Sequence, residues 1–170
     1  WYKATNTTET GTVVRTQANV TANQDTYTPA TDAVGTAYYY VVVKSSCGDD
    51  KASQRAKITI QSLPAITTQP ATLSKPCKDS TLTLSIAHTG DGNRSVQWYR
   101  NTTNSNTGGT AISGETANTF TVPTGTVGTT YYYAVVSSDT GCTPAVSSVA
   151  EVIVQSLPAI TTQPATLSKP

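Results

Sequence analysis

A segment of sixteen residues occurs twice in this chain without a single change, at 61–76 and again at 155–170. Three further landmarks recur at nearly the same spacing: Trp1 with Trp98, Tyr38 with Tyr131, and Cys47 with Cys142. A period of about 94 residues is the size of a whole domain, whereas solenoid repeats take about 20 to 50 residues. The chain is therefore predicted to be part of a tandem array of domains.

The same period divides the chain into three portions. Residues 1–62 are predicted to be a partial repeat that starts at its third strand, 63–156 a complete repeat, and 157–170 the first strand of a third repeat. Trp1 aligns with a position well inside the next repeat, so we expect the chain to be an excerpt of a longer protein.

Composition predicts an all-β fold. Threonine supplies 34 of the 170 residues, methionine does not occur, and valine, isoleucine and tyrosine fill most of the structural positions. β-Branched and aromatic side chains fit a pleated sheet better than a helix. Since apolar residues never recur with helical spacing over three turns, we expect no helix longer than one turn.

The complete repeat contains about seven short strand patterns separated by turn residues. In 81–86 polar and apolar residues alternate, which sends Leu82, Leu84 and Ile86 to one face. Pro70 cannot donate to a ladder, so we expect it on an edge strand or where the chain changes sheets. Several short alternating strands with turns between them indicate an antiparallel β-sandwich.

Charge argues against two classes of partner. The net charge is +1, and the 11 basic and 10 acidic residues are scattered singly. Nucleic-acid binding needs a clustered basic surface, and a membrane span needs about 18 apolar residues in a row. We therefore expect this segment neither to bind nucleic acid nor to span a membrane.

Core residues of the repeats resemble those of immunoglobulin (Ig) domains. Ile86 precedes Trp98 by 12 residues, which resembles the spacing from the strand B cysteine to the core tryptophan. Tyr132 and Ala134 resemble the tyrosine corner and the second core cysteine, so both disulfide positions are apolar here. The resemblance implies an Ig-like β-sandwich whose core includes these positions and those of the partial repeat: Ile86, Trp98, Tyr132 and Ala134, with Trp1, Tyr39 and Val41.

A narrower resemblance involves segments 98–101, 109–114, 128–136 and 141–142. They are similar to Ig-like tandem repeats of very large cell-surface adhesins of Bacteroidota, of the SprB gliding-adhesin type exported by type IX secretion. This resemblance implies a secreted, extracellular protein on a bacterial surface, with roles in cell adhesion and gliding motility. The implied partners are neighbouring repeats, other copies in a fibre, and surface glycans.

The three cysteines, Cys47, Cys77 and Cys142, are disulfide candidates in a secreted protein. In an Ig-like topology Cys77 and Cys142 lie at opposite ends of the sandwich, roughly 20 Å apart, whereas bridged Cα atoms lie within about 7 Å. We favour bridges between successive repeats. A bridge within one repeat and free thiols remain the alternatives.

No residue pattern supports catalysis. His88 is the only histidine, and the loop carboxylates Asp49, Asp50 and Asp91 are explained as well by turn chemistry as by Ca²⁺. We expect no enzyme activity, metal or cofactor. The stretch Asp79-Ser80-Thr81 resembles an O-glycosylation site of Bacteroidota, which makes Ser80 a modification candidate. Alternate tyrosines in 131–133 must face opposite sides, which predicts core plus surface and not a carbohydrate platform.

The favoured function is a noncatalytic structural repeat in the stalk of a long surface adhesin or extracellular filament. Short Pro-containing connections such as 62–65 leave little slack between domains. Two alternatives stay open: an Ig-like module that binds glycans or protein through its end loops, and a spacer domain of a secreted hydrolase.

Overall fold

The computed structural model describes residues 1–18, 24–139 and 141–164. The chain divides into two compact units between Ser62 and Leu63. Every regular element in the described residues is a β-strand, as the composition predicts. The prevalence of threonine, valine and tyrosine accounts for this, because their side chains lose less freedom on a pleated surface than in a helix.

Unit 1 contains six strands: β1 Tyr2–Ala4, β2 Thr12–Val13, β3 Gly35–Tyr40, β4 Val42–Val43, β5 Lys51–Ala52 and β6 Ala56–Ile60. Four of them form an antiparallel sheet in the order β2-β1-β3-β6, and β4 pairs with β5. Tyr39 is buried, whereas Trp1 and Val41 are only half-buried. The Trp1 ring stacks on Tyr27, and its indole N–H donates to Asp25 at 3.0 Å.

Unit 2 contains the remaining ten strands: β7 Ala65–Thr68, β8 Leu73–Ser74, β9 Leu82–Ser85, β10 Ala87–Thr89, β11 Arg94–Asn101, β12 Thr110–Ala111, β13 Thr119–Val122, β14 Gly128–Ser138, β15 Ala145–Val146 and β16 Ala150–Val154. One layer is the sheet β12-β11-β14-β16-β8. The other layer consists of two antiparallel ladders, in which β7 pairs with β10 and β9 pairs with β13. The two ladders meet at Ile86, which lies between β9 and β10.

The core of unit 2 lies between these two layers. Alternate residues of each strand point inward, and the buried cluster is Leu84, Ile86, Val96, Trp98, Phe120, Val122, Tyr132, Ala134, Val136, Ala150, Val152 and Val154. Trp98 is fully buried, lies against Phe120 at 5.6 Å between ring centroids, and donates its indole N–H to the Ala117 carbonyl at 2.9 Å. Burial of one such large apolar side chain contributes about 1.5 to 3 kcal/mol.

Pro70 lies where the chain changes sheets, the second of the two positions that its missing N–H predicts. Before it, β7 pairs with β10 in one layer, and after it, β8 pairs with β16 in the other. Pro70 itself is buried at the crossing. Because proline cannot donate to either ladder, no hydrogen bond is lost where the chain leaves one sheet for the other.

The second copy of the sixteen-residue segment behaves differently from the first. Gln155 makes a single bridge to Cys77, and 156–164 contains no strand, while 165–170 lies outside the described residues. A strand needs a hydrogen-bonded partner, and no described strand equivalent to β10 lies beside this copy. Ile160 is 76% exposed, whereas the matching Ile66 packs against the core. Tertiary pairing, and not local propensity, therefore decides the conformation of this segment.

A buried serine, Ser147, supplies hydrogen bonds to β14 where the ladder between β14 and β16 lacks a partner. Ser147 is fully buried, its Oγ accepts the Ala134 N–H at 2.9 Å, and its hydroxyl donates to the Ser148 carbonyl at 2.8 Å. The Ser147 N–H also donates to the Ala134 carbonyl. Ser53 makes the same three contacts in unit 1, with Val41 in place of Ala134. The hydroxyl thus replaces a missing ladder partner in both units.

The outer face of β14 is covered, contrary to the expectation that one face of the tyrosine triplet lies on the surface. Tyr133 is 3% exposed and stacks on Tyr99 with 5.1 Å between centroids. Its hydroxyl accepts the Gly109 N–H, and Asn106 donates to the Ser147 carbonyl at 3.0 Å. The loop 102–109 therefore folds across this sheet face.

We predict that Ser147→Ala lowers the free energy of unfolding of the chain by about 1 to 3 kcal/mol, because the buried Ala134 N–H loses its acceptor. Ser148→Ala is the matched control, since within the described part of the chain its hydroxyl makes one hydrogen bond, at 3.3 Å to Gln69, and its loss should cost well under about 1 kcal/mol. Urea unfolding measures both. Equal losses of unfolding free energy for the two variants would show that the Ser147 hydroxyl does not replace a missing ladder partner.

Candidate functional site

The second strand of unit 2, β8, and its last strand, β16, run side by side and parallel. Leu73 lies opposite Glu151 and Ser74 opposite Val152, and an isolated parallel bridge continues the pairing from Cys77 to Gln155. We call the pairing of β8 with β16, together with this bridge, the terminal ladder. It is the only parallel pairing among the described strands of the chain.

Backbone hydrogen bonds extend the terminal ladder past both strands. The Glu151 N–H donates to the Thr72 carbonyl at 3.0 Å, and the Gln155 N–H donates to the Pro76 carbonyl at 2.9 Å. The Lys78 N–H then donates to the Gln155 carbonyl at 2.8 Å. The hydrogen-bonded region therefore includes residues 72–78 of one segment and residues 151–155 of the other.

A tight turn follows the terminal ladder at Cys77. The Ser80 N–H donates to the Cys77 carbonyl at 3.2 Å, and Asp79 has a φ of +62°. A positive φ at the third residue of such a turn is typical of type II geometry, in which the second residue, here Lys78, has the φ that proline prefers. The Asp79 N–H also donates to Thr124 in the loop after β13. The turn is thus fixed to the body of the unit.

The connector that precedes β7 is packed against its own unit. Pro64 is buried, and a Cβ added at Gly90 would lie 2.9 Å from the Leu63 carbonyl oxygen and 3.0 Å from the Pro64 Cα. Gly90 also has a φ of +128°, which disfavours other residues. A glycine at this position lets the turn approach the connector backbone closely, while the Leu63 side chain stays exposed.

The cysteines lie at opposite ends of unit 2, as the topology predicts. Cys77 is exposed and sits beside Gln155, at the end of β16. Cys142 is half-buried and lies between β14 and β15. About ten residues of extended chain separate Ala145 from Gln155, which at about 3.3 Å per residue is far beyond the reach of a disulfide. In unit 1, Cys47 is exposed.

Ser80, the candidate for O-glycosylation, is exposed in the turn that closes the terminal ladder. Its hydroxyl donates to the Cys77 carbonyl at 2.6 Å, and its own carbonyl accepts a hydrogen bond from the Thr124 hydroxyl. A sugar on the hydroxyl would remove the first of these bonds. Modification of Ser80 stays a prediction, and the intact mass of the native protein is the measurement that tests it.

A groove of about 540 Å³ opens on the side of unit 2 between β12 and β13. Buried core residues form its floor, and the exposed side chain of Arg100 lies at its rim. Tyr132 lines the groove too: burial raises the pKa of its phenol, while a hydrogen bond with Thr130 and the nearby Arg100 charge act in the opposite direction. The two sheets therefore leave a partly open pocket here. Composition and spacing gave no signal for it, because it depends on which strands lack a neighbour.

Other chemistry-bearing residues do not assemble into a site. His88 faces Asn118, with 3.0 Å between its Nε2 and the amide oxygen. Among the described residues, no three His, Cys, Asp or Glu side chains are grouped so as to hold a metal ion. The described part of the chain also contains no helix long and apolar enough to cross a membrane.

Comparison with protein families places unit 2 within one of them. Residues 65–156 match the model of a domain of unknown function, DUF8696, and the chain therefore belongs to this family. No curated protein matches the sequence.

Solved structures show the fold class. Extracellular domains 3–5 of Drosophila OTK align with a TM-score of 0.51 at 13% identity, over 71% of this chain and 40% of that one. Sidekick-1 immunoglobulin domains 1–4 (TM-score 0.48, 17% identity, 81% and 38% covered) and a chimeric titin Z1Z2 (0.43, 20%, 57% and 98%) are also similar. The predicted Ig-like β-sandwich is confirmed. The chain spans well under half of the OTK and Sidekick-1 structures.

Proposed function

We propose that this chain is a noncatalytic structural repeat that forms the stalk of a long cell-surface adhesin or extracellular filament. The observation that carries the proposal is the terminal ladder. It joins β8, the second strand of unit 2, to β16, the last strand, through which tension leaves the unit. A protein built to hold a distant tip away from a cell needs its repeats to resist that kind of load.

The direction of the ladder determines how it responds to tension. Tension applied at 65 first loads the antiparallel pairing of β7 with β10. Beyond Pro70 it slides β8 past β16 along their shared axis, because these two strands are parallel and the load is applied at opposite ends of the pair. The hydrogen bonds of Lys78, Glu151 and Gln155 are then loaded together. In an antiparallel hairpin pulled from its open end, by contrast, the bonds break one after another. Simultaneous loading favours a high unfolding force.

The packed connector supports the same function. Pro64 is buried and Leu63 lies against Gly90, so little slack remains before the first strand. A short, Pro-containing connection of this kind behaves as a semi-rigid spacer, whereas Gly/Ser-rich connections are flexible. Stiff connections between repeats would keep an array extended.

The sequence resemblance gives the finer context of the proposal. We infer an extracellular protein of the Bacteroidota surface, of the gliding-adhesin type, whose partners are neighbouring repeats and other copies in a fibre. The Ig-like fold and the scattered single charges are compatible with such a spacer. The same fold hosts many functions, so the load-bearing geometry supports the proposal more than the fold does.

Pulling single molecules between residues 63 and 156 tests the load-bearing role. Lys78→Pro removes the N–H that donates to Gln155 while keeping the φ that the turn requires. We expect a loss of about 0.5 to 1.5 kcal/mol in the free energy of unfolding and a clear fall in the peak unfolding force. Lys78→Ala, which keeps the N–H, should leave the force unchanged.

Ser147→Ala provides the second control, because it weakens unit 2 at a point away from the terminal ladder. It should reduce stability at least as much as Lys78→Pro but lower the unfolding force less. If force simply follows stability across the three variants, the terminal ladder does not bear the load and the proposal is wrong.

Bridges between successive repeats would strengthen such an array, and we propose them as the role of the cysteines. Cys77 lies at the end where the chain leaves unit 2, so its partner would be the counterpart of Cys142 in the following repeat. The partner of Cys47 would be the counterpart of Cys77 in the repeat before it. Nonreducing peptide mapping of a three-repeat protein should recover these pairs. Recovery of Cys77 joined to Cys142 of the same repeat would contradict the assignment.

A further inference from the structure

The groove beside Arg100 has the features of a built pocket. It occurs where β12 and β13 face each other without an intervening strand, since β12 pairs only with β11 and β13 only with β9 among the described strands. Phe120, Val152 and Val154 lie beneath the groove but are at most 5% exposed, so they give it a rigid base and little surface for a ligand. The accessible apolar side chains are Pro123 and Val127, which are exposed, and Ile112, which is half-buried.

Polar groups converge at one wall of this groove. A second hollow of about 370 Å³ adjoins it, and both are lined by Arg100, Thr110 and Thr130. The Tyr132 side chain also lines the larger groove, and it interacts with both Thr130 and Arg100. A guanidinium and two threonine hydroxyls are therefore available within one small area, with the buried Tyr132 phenol behind them.

The charge in this area is positive and unbalanced. None of the residues that line either hollow is acidic. Within the described residues, Arg100 takes part in no ion pair; the pairs found are Arg15 with Asp25, Lys44 with Asp50, and Lys78 with Asp79. A guanidinium presents a planar fork of donors that matches a carboxylate. An anionic ligand is thus complementary to this wall.

We propose that the groove binds an acidic saccharide, with the carboxylate of a uronic acid residue on Arg100. The hydroxyls of Thr110 and Thr130 are placed to exchange hydrogen bonds with the carboxylate and the ring hydroxyls. The apolar side chains of Ile112, Pro123 and Val127 accept the C–H face of the sugar ring. The polar wall lies outside the terminal ladder, although Val152 beneath the groove is also a ladder residue.

Unit 1 has different residues at the positions that match the groove of unit 2, which limits the number of saccharides that one chain can bind. Alignment on the tryptophans and the tyrosine triplets places Lys3 at the position of Arg100 and Ala37 at that of Thr130. Lysine cannot make the two-pronged contact of arginine, and alanine has no hydroxyl. We therefore expect one saccharide per chain, bound to unit 2.

Titration of the ¹⁵N-labelled 170-residue protein with trigalacturonate tests the proposal. Saturable shifts are expected for the amides of Thr130, Tyr132 and Val152, with a one-to-one stoichiometry and no shifts in unit 1. Arg100→Ala should weaken binding about tenfold or more, and Arg100→Lys should weaken it less. Lys75→Ala removes an equally exposed cation of unit 2 outside the groove and should leave binding unchanged.

Three outcomes would overturn the proposal. They are equal binding of neutral galactotriose, equal binding of acetate alone, and unchanged binding by Arg100→Ala with its melting temperature preserved. Lack of saturable shifts up to about 10 mM trigalacturonate, which is weaker than useful recognition, would also reject it. None of these results affects the interpretation of the pulling experiments, so the saccharide proposal and the load-bearing proposal can each be rejected without the other.

Discussion

The parallel pairing of β8 with β16 joins the N-terminal part of unit 2 to its last strand. Its hydrogen bonds connect residues Thr72 to Lys78 with residues Glu151 to Gln155. Core burial supplies most of the stabilisation, but this ladder determines how tension that has passed β7 reaches the core.

The repeated segment acquires a structural explanation from this arrangement. Residues 61–76 comprise the packed connector, β7, the crossing at Pro70, β8 and the Pro76 carbonyl that accepts from Gln155. One stretch of sequence therefore provides the connector and one side of the terminal ladder. Its exact recurrence at 155–170 is what an array with identical connections between its repeats would require.

Much of the fold could be predicted because its causes are local. Alternation placed Leu84 and Ile86 in the core, and the missing N–H of Pro70 predicted either an edge strand or a change of sheet, the second of which occurs. Ser147 could not be identified in this way, since its partner Ala134 lies 13 residues away on another strand.

The covered face of Tyr133 and the groove beside Arg100 likewise depend on tertiary contacts. A loop that crosses a sheet, and a strand that has no neighbour, leave no periodic signal in the residues concerned. The two copies of the sixteen-residue segment make the same point. Identical residues form β7 where β10 is available and form no strand at 156–164.

Native-state hydrogen exchange of the chain tests the central role of the terminal ladder most directly. If the ladder closes the unit, the amides of Lys78, Glu151 and Gln155 should exchange as slowly as that of Val136, a fully buried residue of β14, because all four would open only with global unfolding. Exchange of the three ladder amides by local fraying, much faster than Val136, would contradict the account.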